Sequence, residues 1–177
     1  MSLPFKQVSI PFRKQHMREE LCMGVLRNSY GSIQYYDLLK SYLIFPPDVY
    51  SKLKPDFMSW TKVSPVASLP HKDFNVSVNL NIYVDPGHAT TKFFKPIPNS
   101  EPYSTHPGKF HPNLWYEKDL EYLGEFKAEA FECYLLDVRE VHQVCNLQQA
   151  FRTMIQLSWN TTEYDEVLNR IESNFKQ

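Results

Sequence analysis

Eleven residues, 74–84, constrain this chain more than any other stretch. Phe74, Val76, Val78, Leu80, Ile82 and Val84 alternate with Asn75, Ser77, Asn79, Asn81 and Tyr83. Apolar side chains at period two predict a β-strand with one face in a core and the other in water. Asp85-Pro86-Gly87 then ends it with turn chemistry. A strand this long must pair, and its apolar row must be covered. A sheet with other elements packed on it is therefore the least the chain can build.

The 177 residues suffice for one domain with a sizeable core. Only 5 glycines stand beside 13 prolines, which argues against a glycine-rich phosphate cradle and for rigid surface connections. A formal charge of −1 excludes a general polyanion binder, yet charge is unevenly spread. Residues 1–18 hold Lys6, Arg13, Lys14 and Arg18 and no acid. Residues 117–140 hold Glu117, Asp119, Glu121, Glu125, Glu129, Glu132, Asp137 and Glu140 against Lys118, Lys127 and Arg139. Cys22, Cys133 and Cys145 are an odd, scattered set, read as free thiols in a reducing compartment. No leader is expected, since Pro4, Lys6, Gln7 and Pro11 break the first apolar run. No apolar run approaches the roughly 20 residues of a membrane helix. The glycosylation patterns at Asn75 and Asn160 are expected to stay unmodified.

In chain order, 1–18 reads as a flexible basic-aromatic arm, in which Phe5, Val8, Ile10 and Phe12 interleave with the basic residues. Residues 21–26 read as a strand and 27–32 as a turn. Ser32 opens a helix over 33–43, stopped by Phe45-Pro46-Pro47. A short helix follows over 49–53, and 57–63 stays ambiguous, with Trp60 and Phe57 expected to cover the core. The prolines from Pro86 to Pro112 predict irregular structure, with an edge strand at 91–95. Residues 122–137 suit strand or helix equally by propensity. Asn146 with Gln149, and Thr162 with Asp165, resemble capping boxes opening helices over 147–157 and from 164 onward.

Candidate chemistry is sparse. His106 and His111, with His88 and Asp85, are loosely spaced as metal ligands, so no metal site and no cofactor are expected. Cys145 near His142 lacks a third orienting group for nucleophilic catalysis. Glu125, Glu129 and Glu132 read as a solvated face rather than an acid–base pair. Without a glycine-rich loop or recognition helix, sequence-specific nucleic-acid binding is not expected. Pro46-Pro47-Asp48-Val49-Tyr50 has one residue too many for a Pro-Pro-x-Tyr ligand of WW domains, and reads as a helix boundary.

Two segments together resemble the matrix proteins of rhabdoviruses, particularly the compact ones of plant-infecting members. One is 21–43, a strand, the Arg27-Asn28 turn and a helix with Tyr36-Asp37. The other is Leu123-Gly124-Glu125-Phe126-Lys127-Ala128-Glu129-Ala130-Phe131-Glu132 through Asp137, similar to a late strand pair. The likeness spans about half the chain and favours strand over helix for 122–137. It implies a non-enzymatic virion protein at the inner face of the envelope and in the host cytoplasm. Its implied partners are itself, the nucleocapsid, an anionic membrane surface and the envelope glycoprotein. Phe5, Lys6, Phe12, Arg13, Lys14 and Arg18 would then form the contact arm, docking on Glu121, Glu125, Glu129 and Glu132 of the next copy. The alternative is a cytosolic adaptor or viral accessory protein binding a host protein through the proline-rich loop 92–112. The expected fold is α+β: a flexible arm over 1–18, then one domain over 19–177 with a twisted, mainly antiparallel sheet and helices packed on one side.

Overall fold

A computed structural model describes residues 3–30, 33–65, 68–73, 75–103, 113–145 and 150–175. Among these run β1 (Phe5–Val8), α1 (Glu19–Cys22), β2 (Met23–Tyr30), β3 (Ile33–Leu38), α2 (Ser41–Ile44), α3 (Pro47–Leu53), β4 (Phe57–Val63) and β5 (His71–Lys72). They continue with β6 (Val78–Asp85), β7 (Thr90–Pro96), β8 (Asn113–Leu114), β9 (Leu120–Lys127), β10 (Cys133–Asp137), β11 (Val141–Cys145), β12 (Arg152–Trp159) and α4 (Tyr164–Asn174). The strands form a seven-stranded sheet, β1-β10-β6-β12-β4-β3-β2, and a five-stranded sheet, β8-β5-β11-β7-β9. From β4 to β12 the chain shuttles between them: β4, β6, β10 and β12 lie in the larger, β5, β7, β9 and β11 in the smaller. Paired antiparallel throughout, this is the double-sheet arrangement of a jelly roll. The broad α+β class holds, built on two sheets rather than one.

The strand at 74–84 is present as β6, from Val78, and Phe74 lies outside the described residues. Its apolar row behaves as expected. Val78, Leu80 and Ile82 join Ile155, Leu157 and Trp159 of β12 in a core with Ile44 of α2, Val49 and Leu53 of α3, and Tyr164, Val167 and Ile171 of α4. Trp159 fixes this layer, its Nε1 donating to the carbonyls of Lys54 at 2.9 Å and Leu53 at 3.2 Å, where α3 ends. From Ser77 to Tyr83 the polar row does not face water, whereas Asn75 is exposed. Asn79 is 2% exposed and Asn81 6%, and Tyr83 belongs to a second core with Phe93, Phe126 and Met154 between the sheets. Alternation therefore marks two different interiors here, one apolar and one polar.

Asp85-Pro86-Gly87 makes the expected turn. The Asp85 carboxylate accepts from Gly87 N at 2.9 Å, and Gly87 sits at φ +58, where an added Cβ would lie 2.9 Å from the Phe151 carbonyl oxygen. The helices α3 and α4 lie where predicted, with Pro47 at the first turn of α3.

Two expected helices are strands. The helix over 33–43 is replaced by β3 and the short α2, because Tyr35 and Tyr36 pair opposite Thr61 and Trp60 of β4. The helix over 147–157 is replaced by β12; its proposed capping residues, Asn146 and Gln149, lie outside the described residues. Both faces of β12 are buried between β4 and β6. A strand apolar on both sides loses the two-residue period and can imitate a helical stripe. The predicted edge strand at 91–95 is β7, which lies between β11 and β9 and is no edge. Residues 122–137 divide into β9 and β10, in different sheets, with Phe131 at φ +68 in the turn between them.

The segment expected to be a flexible arm is built into the domain. β1 pairs with β10, and Phe5 packs against Phe93 and Phe126 with ring centroids 5.3 and 5.1 Å apart. Met17 and Ile10 are core residues. No helix among the described residues is long and apolar enough to cross a membrane.

Candidate metal centre

The short β5 sets the site. His71 and Asp73 are two residues apart, so extended backbone carries both side chains to the same side. His142 on β11 is the direct partner of His71 in the sheet, and their rings lie 4.4 Å apart, tilted by 51°. All three side chains are largely enclosed, at 10%, 19% and 8% exposure for His71, Asp73 and His142. Their potential ligand atoms lie within 4.8 Å of one another. Both histidine Nε2 atoms stand 3.5 Å from the same oxygen, Asp73 Oδ1.

The tautomers follow from the backbone. His71 Nδ1 lies 2.8 Å from the Leu69 carbonyl, and His142 Nδ1 lies 3.0 Å from the Glu140 carbonyl. A carbonyl only accepts, so each Nδ1 carries the proton and each Nε2 can present a lone pair. Metal-ligating histidines are held in this way. The three groups are electrostatically coupled. Burial alone would raise the pKa of Asp73, but the contacts with His142 and His71 outweigh it and hold the carboxyl far below the usual carboxylate range. Burial alone would lower the pKa of His71, but Asp73 lifts it above the ordinary histidine value. Two imidazoles and one carboxylate within reach of one another are a donor set found both in non-haem iron(II) sites and in catalytic zinc sites.

A second unusual group lies nearby. Phe93 of β7 is the sheet partner of His142, and Thr91, two residues along on the same face, accepts a hydrogen bond from Arg152 Nη1 at 2.8 Å. That step is about 7 Å of strand. Arg152 is 1% exposed and its guanidinium carbon lies 4.3 Å over the Tyr83 ring. Its Nε and Nη2 have no hydrogen-bond partner, and no carboxylate pairs with it, among the described residues. Burial lowers its pKa, against the opposing effect of Tyr83. An isolated buried cation is costly, so this arrangement suits an anion arriving from outside the chain.

Apart from His142, the described residues singled out from sequence lie elsewhere. His88 and Asp85 flank the exposed β6–β7 turn, and His106 and His111 lie outside the described residues. Cys145 and His142 are three apart on a strand, and so on opposite faces. Lys6 pairs with Glu172, Arg13 Nη1 donates to the Leu43 carbonyl, Lys14 lies over the Phe131 ring, Phe12 packs on the helix-side core, and exposed Arg18 precedes α1. Glu121, Glu125 and Glu129 are exposed, whereas Glu132 accepts from Gln7 Nε2 of its own chain. The fold thus assembles a ligand set that sequence reading did not single out. The signal available was His71-Lys72-Asp73 at strand spacing, a distant His142, and Arg152 ten residues beyond it.

No protein-family model matches the chain, and no curated protein matches its sequence. Solved structures similar to it include SnoN, a non-haem α-ketoglutarate-dependent epimerase of nogalamycin biosynthesis, at 16% identity and TM-score 0.37, over 58% of this chain and 46% of that one. E. coli ycfD matches at 14% identity and TM-score 0.39, over 71% of this chain and 33% of that one. AviO1 from Streptomyces viridochromogenes Tue57 matches at 11% and 0.41, over 81% and 75%. The chain spans less than half the length of the first two. At these identities and TM-scores the likeness carries no argument about function, which must come from the geometry of the site itself.

Proposed function

We propose that this protein is a metal-dependent enzyme of the non-haem iron(II) oxygenase type. His71 Nε2, His142 Nε2 and Asp73 Oδ1 would hold the ion, and Arg152 would hold the carboxylate of a co-substrate. The observation that carries this reading is the pair of Nδ1–H···O=C bonds, which leaves both Nε2 atoms free 3.5 Å from one carboxylate oxygen. When bound, iron(II) supplies a redox-active centre with coordination positions left open for small ligands. The chain's own residues do the rest. Phe93, with its ring 5.7 Å from that of His142, and the aromatic cluster beyond it exclude water from the side of the site. Arg152 and the Thr91 hydroxyl offer a charged donor set one step along β7. On this reading a dicarboxylate co-substrate would place one end on the metal and the other on Arg152. α-Ketoglutarate has that form and is the probe used.

The test is an anaerobic titration of the whole chain with Fe(II) or Co(II), followed by α-ketoglutarate, read by calorimetry and by melting temperature. Metal at a hundred times its dissociation constant should add about 2.7 kcal/mol, raising the melting temperature by roughly 5–10 °C. His71→Ala or Asp73→Ala should abolish the shift. Arg152→Met should keep metal binding and lose the response to α-ketoglutarate. Absence of binding by Fe(II), Co(II) and Mn(II) would remove the metal reading. Zn(II) binding without any response to a 2-oxo acid would remove the iron reading.

A further inference from the structure

Asp73 has a second oxygen, and it is not idle. Asn79 Nδ2 donates to Asp73 Oδ2 at 3.1 Å, across from the larger sheet. The Asn79 amide is itself held, because Ser158 Oγ donates to Asn79 Oδ1 at 2.6 Å. Asn79 and Ser158 are direct partners on β6 and β12, 2% and 0% exposed. The direction of this chain is fixed by chemistry. An ionised carboxylate only accepts, so the amide must turn its NH2 to Asp73, leaving its carbonyl for the serine hydroxyl. Below it, Asp73 N donates to the Val138 carbonyl at 3.0 Å, which fixes the backbone. Each oxygen of the carboxylate therefore has a separate neighbourhood: Oδ1 faces the two histidines and Oδ2 faces Asn79.

We infer that Ser158 and Asn79 are positioning residues for the metal centre. They hold Asp73 so that it binds through Oδ1 alone, keeping one coordination position from being taken by Oδ2. This inference rests on the metal reading above and adds a residue pair to it. It also gives a reason for Asn79 to face inward on a strand whose other row is wholly apolar. Nothing in the packing of two sheets requires an amide there, whereas a carboxylate that must not rotate does. Partners of this kind typically affect metal affinity by about 10–100-fold.

The experiment compares Co(II) binding and the visible spectrum of the Co(II)-loaded whole chain for wild type, Asn79→Leu, Ser158→Ala and Asn81→Ala. Leucine has the same number and branching of side-chain heavy atoms as asparagine but no polar atom, so the donor is lost with little change of shape. Asn79→Leu should weaken Co(II) by about 10–100-fold and change the ligand-field bands, as a carboxylate freed to chelate through both oxygens changes coordination number. Ser158→Ala should shift both in the same direction by less. Asn81→Ala, equally buried on the same face but bonded to Tyr83, should leave both unchanged. Melting of the metal-free proteins separates loss of fold from loss of metal. Wild-type affinity and spectrum in a folded Asn79→Leu would overturn the inference while leaving the metal centre standing. Equal loss in Asn81→Ala would also overturn it, because any buried amide would then serve. A wild-type protein that binds no metal would instead remove the reading on which it rests.

Discussion

The two faces of the larger sheet do opposite work. On the helix side, Leu80, Ile82, Leu135, Ile155, Leu157 and Trp159 meet Ile44, Val49, Leu53 and Val167 in a core that leaves few polar atoms to satisfy. On the side facing the smaller sheet, the same strands present Asn79, Asn81, Arg152, Gln156 and Ser158 among aromatic rings. Two nitrogens of the buried Arg152 guanidinium, Nε and Nη2, lie in that inner space without a hydrogen-bond partner among the described residues. Hydrophobic burial accounts for the first face. The second face combines a smaller, largely aromatic core with buried polar groups, of which Arg152 carries a desolvation penalty. The first face is an apolar core, and the second holds the groups on which the proposed site rests.

The contrast is tested most severely at Trp159. Trp159→Ala empties the centre of the helix side and removes the indole donor from the Lys54 carbonyl, while Arg170 Nη1 still donates to the Leu53 carbonyl. A loss of about 3–5 kcal/mol is expected, or a fall of roughly 10 °C or more in melting temperature. A near-neutral result would mean that the helix side does not carry the stability assigned to it. Arg152→Met probes the inner face in the opposite sense. Removing an uncompensated buried cation should leave the ligand-free protein as stable as wild type, or more stable by about 1–2 kcal/mol, in urea denaturation. Marked destabilisation would show that the arginine already has its counter-ion within the fold.

The effect of pH distinguishes the faces further. Burial pushes the Cys133 thiol, on the helix side, from 9.0 to about 12, with the Ile10 backbone contact opposing. The folded state thus keeps this thiol neutral after the unfolded chain has ionised. Its contribution to stability is complete below about pH 9 and falls as the pH rises from 9 towards 12. Denaturation at pH 8 and pH 10.5 should show a larger loss for wild type than for Cys133→Ala, which cannot titrate there. Equal losses would mean that the thiol is not shielded.

The smallest expected effect lies at the surface. Replacing Lys6, Arg13, Lys14 and Arg18 by serine breaks exposed contacts and should cost less than about 1 kcal/mol in total. The same variant bears on the matrix-type proposal. That proposal expects salt-sensitive self-association, driven by a basic arm docking on the acidic surface of another copy. A segment whose strand is already paired with β10 of its own chain should give one unchanging mass by light scattering. Oligomers that grow at low salt, and vanish in the variant, would restore the contact between copies.

Legibility followed locality. The long strand, the turn after it, α3 and α4 could be read because their periods, prolines and apolar stripes act within a dozen residues. The strand β12 could not, since its burial on both faces comes from β4 and β6, about 90 and 70 residues away in the chain. Nor could the inward turn of the polar row of β6. Asparagine and serine look solvent-facing wherever their partners are unknown, and here the partners are Asp73 and Ser158. The amino-acid sequence by itself determined that an amphipathic strand would form, where it would stop, and which of its rows would be apolar. The tertiary structure alone decided that the other row would be enclosed. By closing a second sheet over it, the fold brought His142 beside His71 and Asp73, and set Asn79 of that row against the Asp73 carboxylate. A sheet has two faces but a strand encodes only their alternation, so what covers each face is a property of the whole chain.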